Sequence, residues 1–323
     1  MIKIGSAKID TNIMLAPLSG CSDLSFRLIS REHGARFCFY EMTDANSLIY
    51  AARSSKNADM LQCHGDDAPI AAQLIGSDPE TMLRAAKKLL ERVRPVFLDI
   101  NAACPVKKVV RKKAGAYLLK EPATLSAIIK TLASSLDIPV TVKMRIGYET
   151  PDIKEIVATA RSCEKSGASA LFVHGRTKPQ GYSGYVDYAS IKAIKDSVKI
   201  PVVGSGNILS PRLAKKMFDE TSCDGILVAR GSFGNPWIFE DIENYIKKGE
   251  APKERGADIR KKALLKHISY IEKYKKLNAD GKIGVMRKVA MWYTRGFPNA
   301  ARLRDRLCRT KRYDELMKLV EGL

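Results

Sequence analysis

The chain has 323 residues, of which 45% are hydrophobic and 7% aromatic, enough apolar material for a sizeable core and too much for a globally disordered chain. No apolar run reaches the ~18 residues of a membrane span, and the opening MIKIGSAKID has no apolar stretch of the secretory kind. Fifty-five Lys and Arg against 35 Asp and Glu leave a formal net charge of +20, which excludes an acidic surface and points to anionic partners or to a solvated basic face.

In chain order, short apolar or β-branched runs fall at Ile13–Ala16, Phe37–Met42, Ile70–Ile75, Val96–Ile100, Val140–Met144, Ala170–His174, Val202–Gly204 and Gly225–Ala229. Polar turns and amphipathic stretches separate them, among them Pro79–Val93, Thr124–Leu136 and Ile153–Ser166, all with apolar residues at helical spacing. Asp78-Pro79 and Ser210-Pro211 each pair a capping residue with a proline at the first helical position. Continuous apolar strands alternating with helices predict a parallel sheet buried on both faces. Eight such units within residues 1–245 fit an α/β fold of the (β/α)8 TIM-barrel type. An open doubly wound sheet fits less well, because the first turn is Pro17-Leu18-Ser19-Gly20 and carries no GxGxxG.

Beyond Gly249-Glu250-Ala251-Pro252, read as a linker, the strands stop. Arg260–Lys275, Gly284–Tyr293 and Ala300–Val320, the last broken near Thr310, predict a small helical domain over residues 250–323. From residue 244 onward there are 22 Lys and Arg against 9 Asp and Glu, so about two-thirds of the net charge sits in the last quarter of the chain. That asymmetry suits nucleic acid or an anionic membrane surface, and equally a basic face kept for solubility.

In a barrel, chemistry belongs to the C-terminal ends of the strands. Here those ends carry Pro17, Glu41, Gln73, Asn101, Lys143, His174, Gly206-Asn207 and Arg230. Two glycine-rich turns, Gly204-Ser205-Gly206-Asn207 and Ala229-Arg230-Gly231-Ser232-Phe233-Gly234, follow the seventh and eighth strands, where barrels commonly hold a phosphate. A phosphate-anchored cofactor without a dinucleotide fingerprint suggests FMN. Lys143, directed into an apolar mouth, calls for an anionic partner such as reduced flavin.

The seven cysteines show no paired or metal-ligand spacing, which fits free thiols in a reducing cytoplasm, and no metal is expected. Cys21, Cys38, Cys63, Cys163, Cys223 and Cys308 read as small hydrophobes. Cys104 differs: it lies in the loop after the fourth strand, before a proline and near lysines, where a protonated thiol can serve as an acid.

These residues together resemble the tRNA-dihydrouridine synthase family, and within it the bacterial B-type subfamily. The similarity is carried by Leu15-Ala16-Pro17-Leu18-Ser19-Gly20, Gln73-Leu74-Ile75-Gly76, Asp99-Ile100-Asn101 with Cys104-Pro105, Val142-Lys143-Met144-Arg145-Ile146-Gly147, His174-Gly175-Arg176-Thr177, and Gly234-Asn235-Pro236-Trp237-Ile238-Phe239. The resemblance implies a cytoplasmic flavoenzyme that reduces uridine in the tRNA D-loop to 5,6-dihydrouridine, with NADPH or NADH as reductant. It implies FMN contacts at Pro17, Leu18, Ser19, Gln73, Lys143, His174, Ser205, Gly206, Asn207, Ala229 and Arg230, with Cys104 protonating C5 after hydride arrives at C6. Asn101, Arg145, Arg176, Arg287 and Lys288 are expected to meet the RNA substrate, while Trp292 is expected in the core. No membrane and no obligate protein partner are implied.

Two positions depart from the family pattern. Ala102-Ala103 stands where Met-Gly is usual, so the loop would differ if that glycine needs positive φ, and Asn207 replaces an aspartate. Three other readings share parts of this pattern. A dihydroorotate-dehydrogenase-like enzyme would share barrel, FMN and thiol but leave the basic helices without a role. A non-catalytic RNA-binding protein and an rRNA substrate are the others.

Overall fold

The computed structural model describes residues 1–51, 55–297 and 299–323. Eight parallel strands build the barrel: β1 (Ile13–Leu15), β2 (Cys38–Phe39), β3 (Ile70–Ile75), β4 (Leu98–Ala102), β5 (Val140–Arg145), β6 (Leu171–His174), β7 (Val202–Ser205) and β8 (Gly225–Val228). Neighbours in the sheet run β1-β8-β7-β6-β5-β4-β3-β2. At the seam Leu15 N donates to Phe37 O across 2.9 Å. All eight predicted runs are strands: β3 keeps both expected ends, and in the others one or both ends lie one to three residues away, β4, β5 and β7 running further than expected.

Period-two alternation decides what lies inside the barrel. Val140, Val142 and Met144 of β5 face the helices, whereas Thr141, Lys143 and Arg145 face inward; Asp99 and Asn101 of β4 do the same. Below the mouth the interior is apolar, with Phe37, Phe39, Phe97 and Phe172 packed at ring separations of 5.4 to 5.8 Å. The bottom is stoppered by an antiparallel hairpin of Ile2–Ile4 and Ala7–Ile9, whose Ile2, Ile4 and Ile9 join that core. Sequence reading did not find this hairpin, because three-residue strands interrupted by Lys3 and Lys8 make no recognisable run.

The barrel helices are α1 (Leu24–Glu32), α2 (Ala45–Tyr50), α3 (Pro79–Leu90), α4 (Pro122–Ser135), α5 (Ile153–Lys165), α6 (Tyr188–Ser197), α7 (Pro211–Thr221) and α8 (Ile238–Lys248). Asp23, Asp44, Asp78, Asp152, Asp187 and Ser210 accept from backbone N–H groups at the starts of α1, α2, α3, α5, α6 and α7. Each such cap contributes about 1 kcal/mol and pins the loop that leads from a strand end into its helix. The rim is therefore stiffened by the same residues that start the helices.

Four helices follow: α9 (Ala257–Tyr274), α10 (Ala279–Tyr293), α11 (Ala300–Arg309) and α12 (Tyr313–Glu321). The expected break near Thr310 is present. Leu264, Ile268, Ile271, Met286, Ala290, Leu307, Leu316 and Val320 form their core, which Trp237 of the barrel enters. Trp292 is a packing residue, as expected: it stacks on Phe233 at 4.3 Å and meets Phe26 edge-on at 5.7 Å. A polar joint lies beside this contact. Lys275 Nζ reaches Asp23 at 2.8 Å and Asp59 at 2.7 Å, and Gln62 Nε2 donates to Tyr274 O at 2.8 Å.

Among the cysteines, Cys38, Cys163 and Cys223 are buried, and burial pushes the first two thiols up to about 12. Two assignments need correcting. Cys63 and Cys308 are exposed: Cys63 lies in a loop against the Tyr40 hydroxyl at 3.3 Å, and Cys308 lies on the outward face of a helix only one side of which packs.

Candidate active site

The ends of β3, β4 and β5 carry a directional chain of hydrogen bonds. Asp99 is fully buried; it accepts from Thr141 Oγ1 at 2.6 Å and from Gln73 Nε2 at 2.7 Å. Gln73 Oε1 in turn accepts from Asn101 Nδ2 at 2.8 Å. Asn101 Oδ1 then accepts from Ala103 N at 3.0 Å and Cys104 N at 2.9 Å. Desolvation pushes the Asp99 carboxyl up to about 6, against the two hydrogen bonds and nearby Lys143, which favour its charged form.

Cys104 is half-buried at the rim, its loop closed by Ala116 N donating to Cys104 O at 3.0 Å. Ala103 is not among the residues with positive φ, so its Cβ is accommodated and the loop has no need of the glycine usual in the family. Lys143 points into the mouth and makes no hydrogen bond or ion pair with the described residues. Desolvation, then Arg145, lowers its ammonium to about 8.

The β6–β8 side is cationic. His174 is 8% exposed; burial, then Lys143 and three arginines, drive its pKa down to about 2, so it is neutral throughout the physiological range. Arg176 donates to Ser183 O at 2.7 Å, Gly184 O at 2.6 Å and Asn207 Oδ1 at 3.0 Å. Arg230 is exposed and reaches Tyr182 O at 3.3 Å, with its guanidinium 5.2 Å from the Tyr182 ring centroid.

Two turns shape this side. After Ser205 the chain passes through positive φ at Gly206 (128°) and Asn207 (51°), the second tolerable for asparagine. A Cβ at Gly206 would lie 3.0 Å from Val186 Cγ2 and 3.2 Å from His174 Cδ2. A Cβ at Gly231 would lie 2.0 Å from Ile208 O, so only glycine lets the loops after β7 and β8 approach this closely. The loops after β7 and β8 thus meet at glycines beside the exposed Arg230, whose guanidinium and neighbouring backbone N–H groups are of the kind that hold a phosphate, while buried Arg176 braces the turn behind them. These residues and the unpaired ammonium of Lys143 fit a phosphate-bearing, anionic cofactor.

The other expected residues fall as follows. Pro17 and Leu18 are half-buried and Ser19 exposed after β1, in a turn closed by Leu18 N donating to Ser22 Oγ at 2.8 Å. Arg145 is 2% exposed and committed to Ala103 O at 2.7 Å, Thr177 O at 2.8 Å and Gly181 O at 3.1 Å, so it braces the loops after β4 and β6 from within. Arg287 donates to Cys308 O and Thr310 O, tying α10 to the end of α11. Lys288 Nζ donates to Gly20 O, joining α10 to the rim.

Sequence reasoning assigned no role to Asp99, Glu41 or Tyr182. Glu41 is 4% exposed and accepts from Gly20 N; burial raises its carboxyl pKa. Inward parity on β4 could have flagged Asp99, whereas Tyr182 lies on a loop with no pattern to mark it. Among the described residues no cluster of His, Cys, Asp or Glu could hold a metal ion, and no helix is long and apolar enough to cross a membrane.

The architecture is that of a (β/α)8 barrel with its polar and charged side chains gathered at one mouth. Solved structures share this fold: the old yellow enzyme from Trypanosoma cruzi superposes with a TM-score of 0.57 at 10% identity over 80% of this chain and 94% of that one. The old yellow enzyme homologue from Zymomonas mobilis gives 0.56 at 14% identity, over 79% and 93%. A family profile described as dihydrouridine synthase (Dus) matches residues 14–321. A probable tRNA-dihydrouridine synthase of Rickettsia bellii is 36% identical over 94% of this chain and 92% of its own length. A tRNA-dihydrouridine synthase B of Vibrio parahaemolyticus is 34% identical, over 94% and 92%. The chain belongs to the dihydrouridine synthase family, whose members are flavin-dependent oxidoreductases.

Proposed function

We propose that this protein reduces uridines of tRNA to 5,6-dihydrouridine in the cytoplasm, with the barrel holding FMN and the basic helical region, residues 250–323, holding the RNA. The observation that carries the reading is the meeting, at one barrel mouth, of glycine turns beside Arg230, an unpaired lysine and a rim cysteine whose backbone N–H donates to Asn101. Ser205, Gly206, Asn207, Ala229 and Arg230 would take the phosphate. Pro17, Leu18, Ser19, Gln73, Lys143 and His174 would surround the ring system. Held there and reduced by NADPH or NADH, FMN would supply hydride chemistry at C6 of the uracil ring.

This chain's residues do the remainder. The C4 carbonyl polarises the C5=C6 bond, so charge accumulates at C5 and O4 as C6 is reduced, and a proton must reach C5. The Cys104 thiol, on the rim loop, is the donor, and Asn101 orients that loop through its two backbone contacts. Lys143, positively charged below about pH 8, offsets negative charge on the cofactor. A base stacked within folded tRNA must be extruded to reach the mouth, at a cost of a few kcal/mol. Phosphate contacts with the basic helices offset that cost and make binding salt-dependent.

The test is nucleoside mass spectrometry of unmodified tRNA incubated with the purified protein and NADPH. A two-mass-unit gain on uridine, lost with Cys104→Ala, is the expected result. A yellow protein that NADPH bleaches but that leaves tRNA unchanged would move the substrate to rRNA or to a free pyrimidine. A colourless protein that binds RNA without turnover would leave only the RNA-binding role.

A further inference from the structure

Gln73 and Asn101 present a specific problem. Each side-chain amide has an oxygen face that accepts and a nitrogen face that donates, and each can be turned over within the same volume. Only one of the two orientations of Asn101 places Oδ1 against Ala103 N and Cys104 N; the other would set an NH2 group against two backbone N–H donors. The two backbone donors favour that orientation, as does Met42 Sδ, which accepts from Asn101 Nδ2 at 3.1 Å, but the pair is consistent only if Gln73 also turns its oxygen, and not its NH2 group, toward Asn101. In the structure every donor in the chain points the same way, from Cys104 N to Asn101, from Asn101 to Gln73, and from Gln73 to Asp99. The chain ends there on a carboxylate, which when ionised can only accept.

We infer that Asp99 is a positioning residue that sets the polarity of the Gln73–Asn101 amide pair and thereby fixes the backbone of the Cys104 loop. It acts through two intervening side chains and touches neither the thiol nor the loop itself. Because the site is buried and of low dielectric, a wrongly turned amide leaves unpaired donors facing one another, which is costly. Thr141 holds the second carboxylate oxygen at 2.6 Å and prevents the acid from rotating away. Lys143, on the adjacent strand, is the one charged group whose field at Asp99 is resolved, and it favours the ionised acceptor-only form.

Asparagine at position 99 has nearly the same shape but can serve either polarity, since the Thr141 hydroxyl both donates and accepts. Asp99→Asn therefore removes the selection while keeping the volume. Gln73→Glu alone sets two carboxylates against each other. Combined with Asp99→Asn, it moves the acceptor-only group one step nearer to Asn101 and restores the direction of the chain.

The experiment reads the loop without relying on turnover: alkylation of each cysteine by iodoacetamide, followed by peptide mass spectrometry, with exposed Cys63 and Cys308 as internal references. One lost hydrogen-bond anchor corresponds to a change of roughly ten-fold. Cys104 is expected to alkylate roughly ten-fold faster in Asp99→Asn and faster still in Gln73→Glu, with the double variant returning toward the native rate. Turnover of uridine is measured in parallel for Asp99→Asn, where Gln73 is intact, and is expected to fall as alkylation of Cys104 rises. That second readout rests on Cys104 as the proton donor; the alkylation series does not, so a failure of that reading leaves the loop result standing. Native alkylation in Asp99→Asn overturns the inference. So does a double variant no better than Gln73→Glu, or all three variants melting early alike, which would make Asp99 a filler of the core only.

Discussion

On the β3–β5 side of the barrel mouth, geometry is fixed by neutral amides lined up toward one buried acid; on the β6–β8 side it is fixed by guanidinium groups that end on loop carbonyls. The first arrangement is directional and economical, with almost every hydrogen bond used once. An isosteric change of one atom can disorder it. The second works by numbers: Arg176 distributes its donors over three oxygens, as Arg145 does at the border between the two sides, so each tolerates the loss of one partner but not of the guanidinium. The directional side presents a thiol at a set position, and the cationic side receives an anion whose oxygens can adjust. Each half is built to the tolerance its role demands.

This contrast can be broken or sharpened by measurement. The largest effect is expected from Cys104→Ala, on the directional side: turnover of uridine falls about a hundred-fold or more, while FMN binding, read by absorbance after gel filtration, stays native. Equal loss of flavin would show that the two sides are not separable. Next is Arg176→Met, which leaves the carbonyls of Ser183 and Gly184 without their Arg176 donor and Asn207 Oδ1 with only the longer contact from Arg230 at 3.4 Å. A loss of about 3 kcal/mol in denaturant melts is expected, together with a weaker hold on FMN. Arg176→Lys is expected to recover little, because an ammonium cannot span three acceptors.

Lys143 lies between the two sides and gives a pH test. Its free pKa is lowered to about 8, and an anionic ligand stabilises the protonated form. Affinity for FMN is thus expected to be flat below about pH 8 and to fall by up to ten-fold per pH unit above it; Lys143→Met should abolish the slope. His174, already neutral, should add no step near pH 6.5. The smallest effect is expected from Lys288→Ala, a loss of two-fold or less in tRNA affinity with little change in salt slope, because this ammonium is already taken up by Gly20 O.

Much of this was legible in the sequence, for physical reasons that can be named. Barrel strands buried on both faces read as apolar runs, and Asp78-Pro79 and Ser210-Pro211 start helices where they should. Cys104, Lys143 and the two glycine turns stood out because strand ends and chain chemistry coincide there. The allocation of arginines was not legible. Arg145 and Arg176 were expected to face the RNA, yet their partners include carbonyls in the loops after β4 and β6; no local pattern announces Arg145's partners 32 and 42 residues away, nor marks the carbonyls 7 and 8 residues beyond Arg176 as its own. The direction of the Asp99 chain was hidden for a related reason: sequence gives residue types, and polarity emerges only once three strands stand in register.

The joint at Lys275 bears on how the molecule comes apart. Burial opposes charge on this lysine, yet Asp23 and Asp59 hold its pKa above the ordinary lysine range, and Asp23 is itself held low by the same contact. Asp23 also caps α1, so one carboxylate serves the first helix of the barrel and the C-terminal end of α9, the first helix of the helical region, at once. Swinging that region away would break both ion pairs together with the Gln62–Tyr274 hydrogen bond, a penalty that adds to the apolar surface exposed around Trp292. Neither part can loosen alone without charging that penalty to the other. The whole chain should accordingly absorb heat in one calorimetric transition, and Lys275→Met should split it into two.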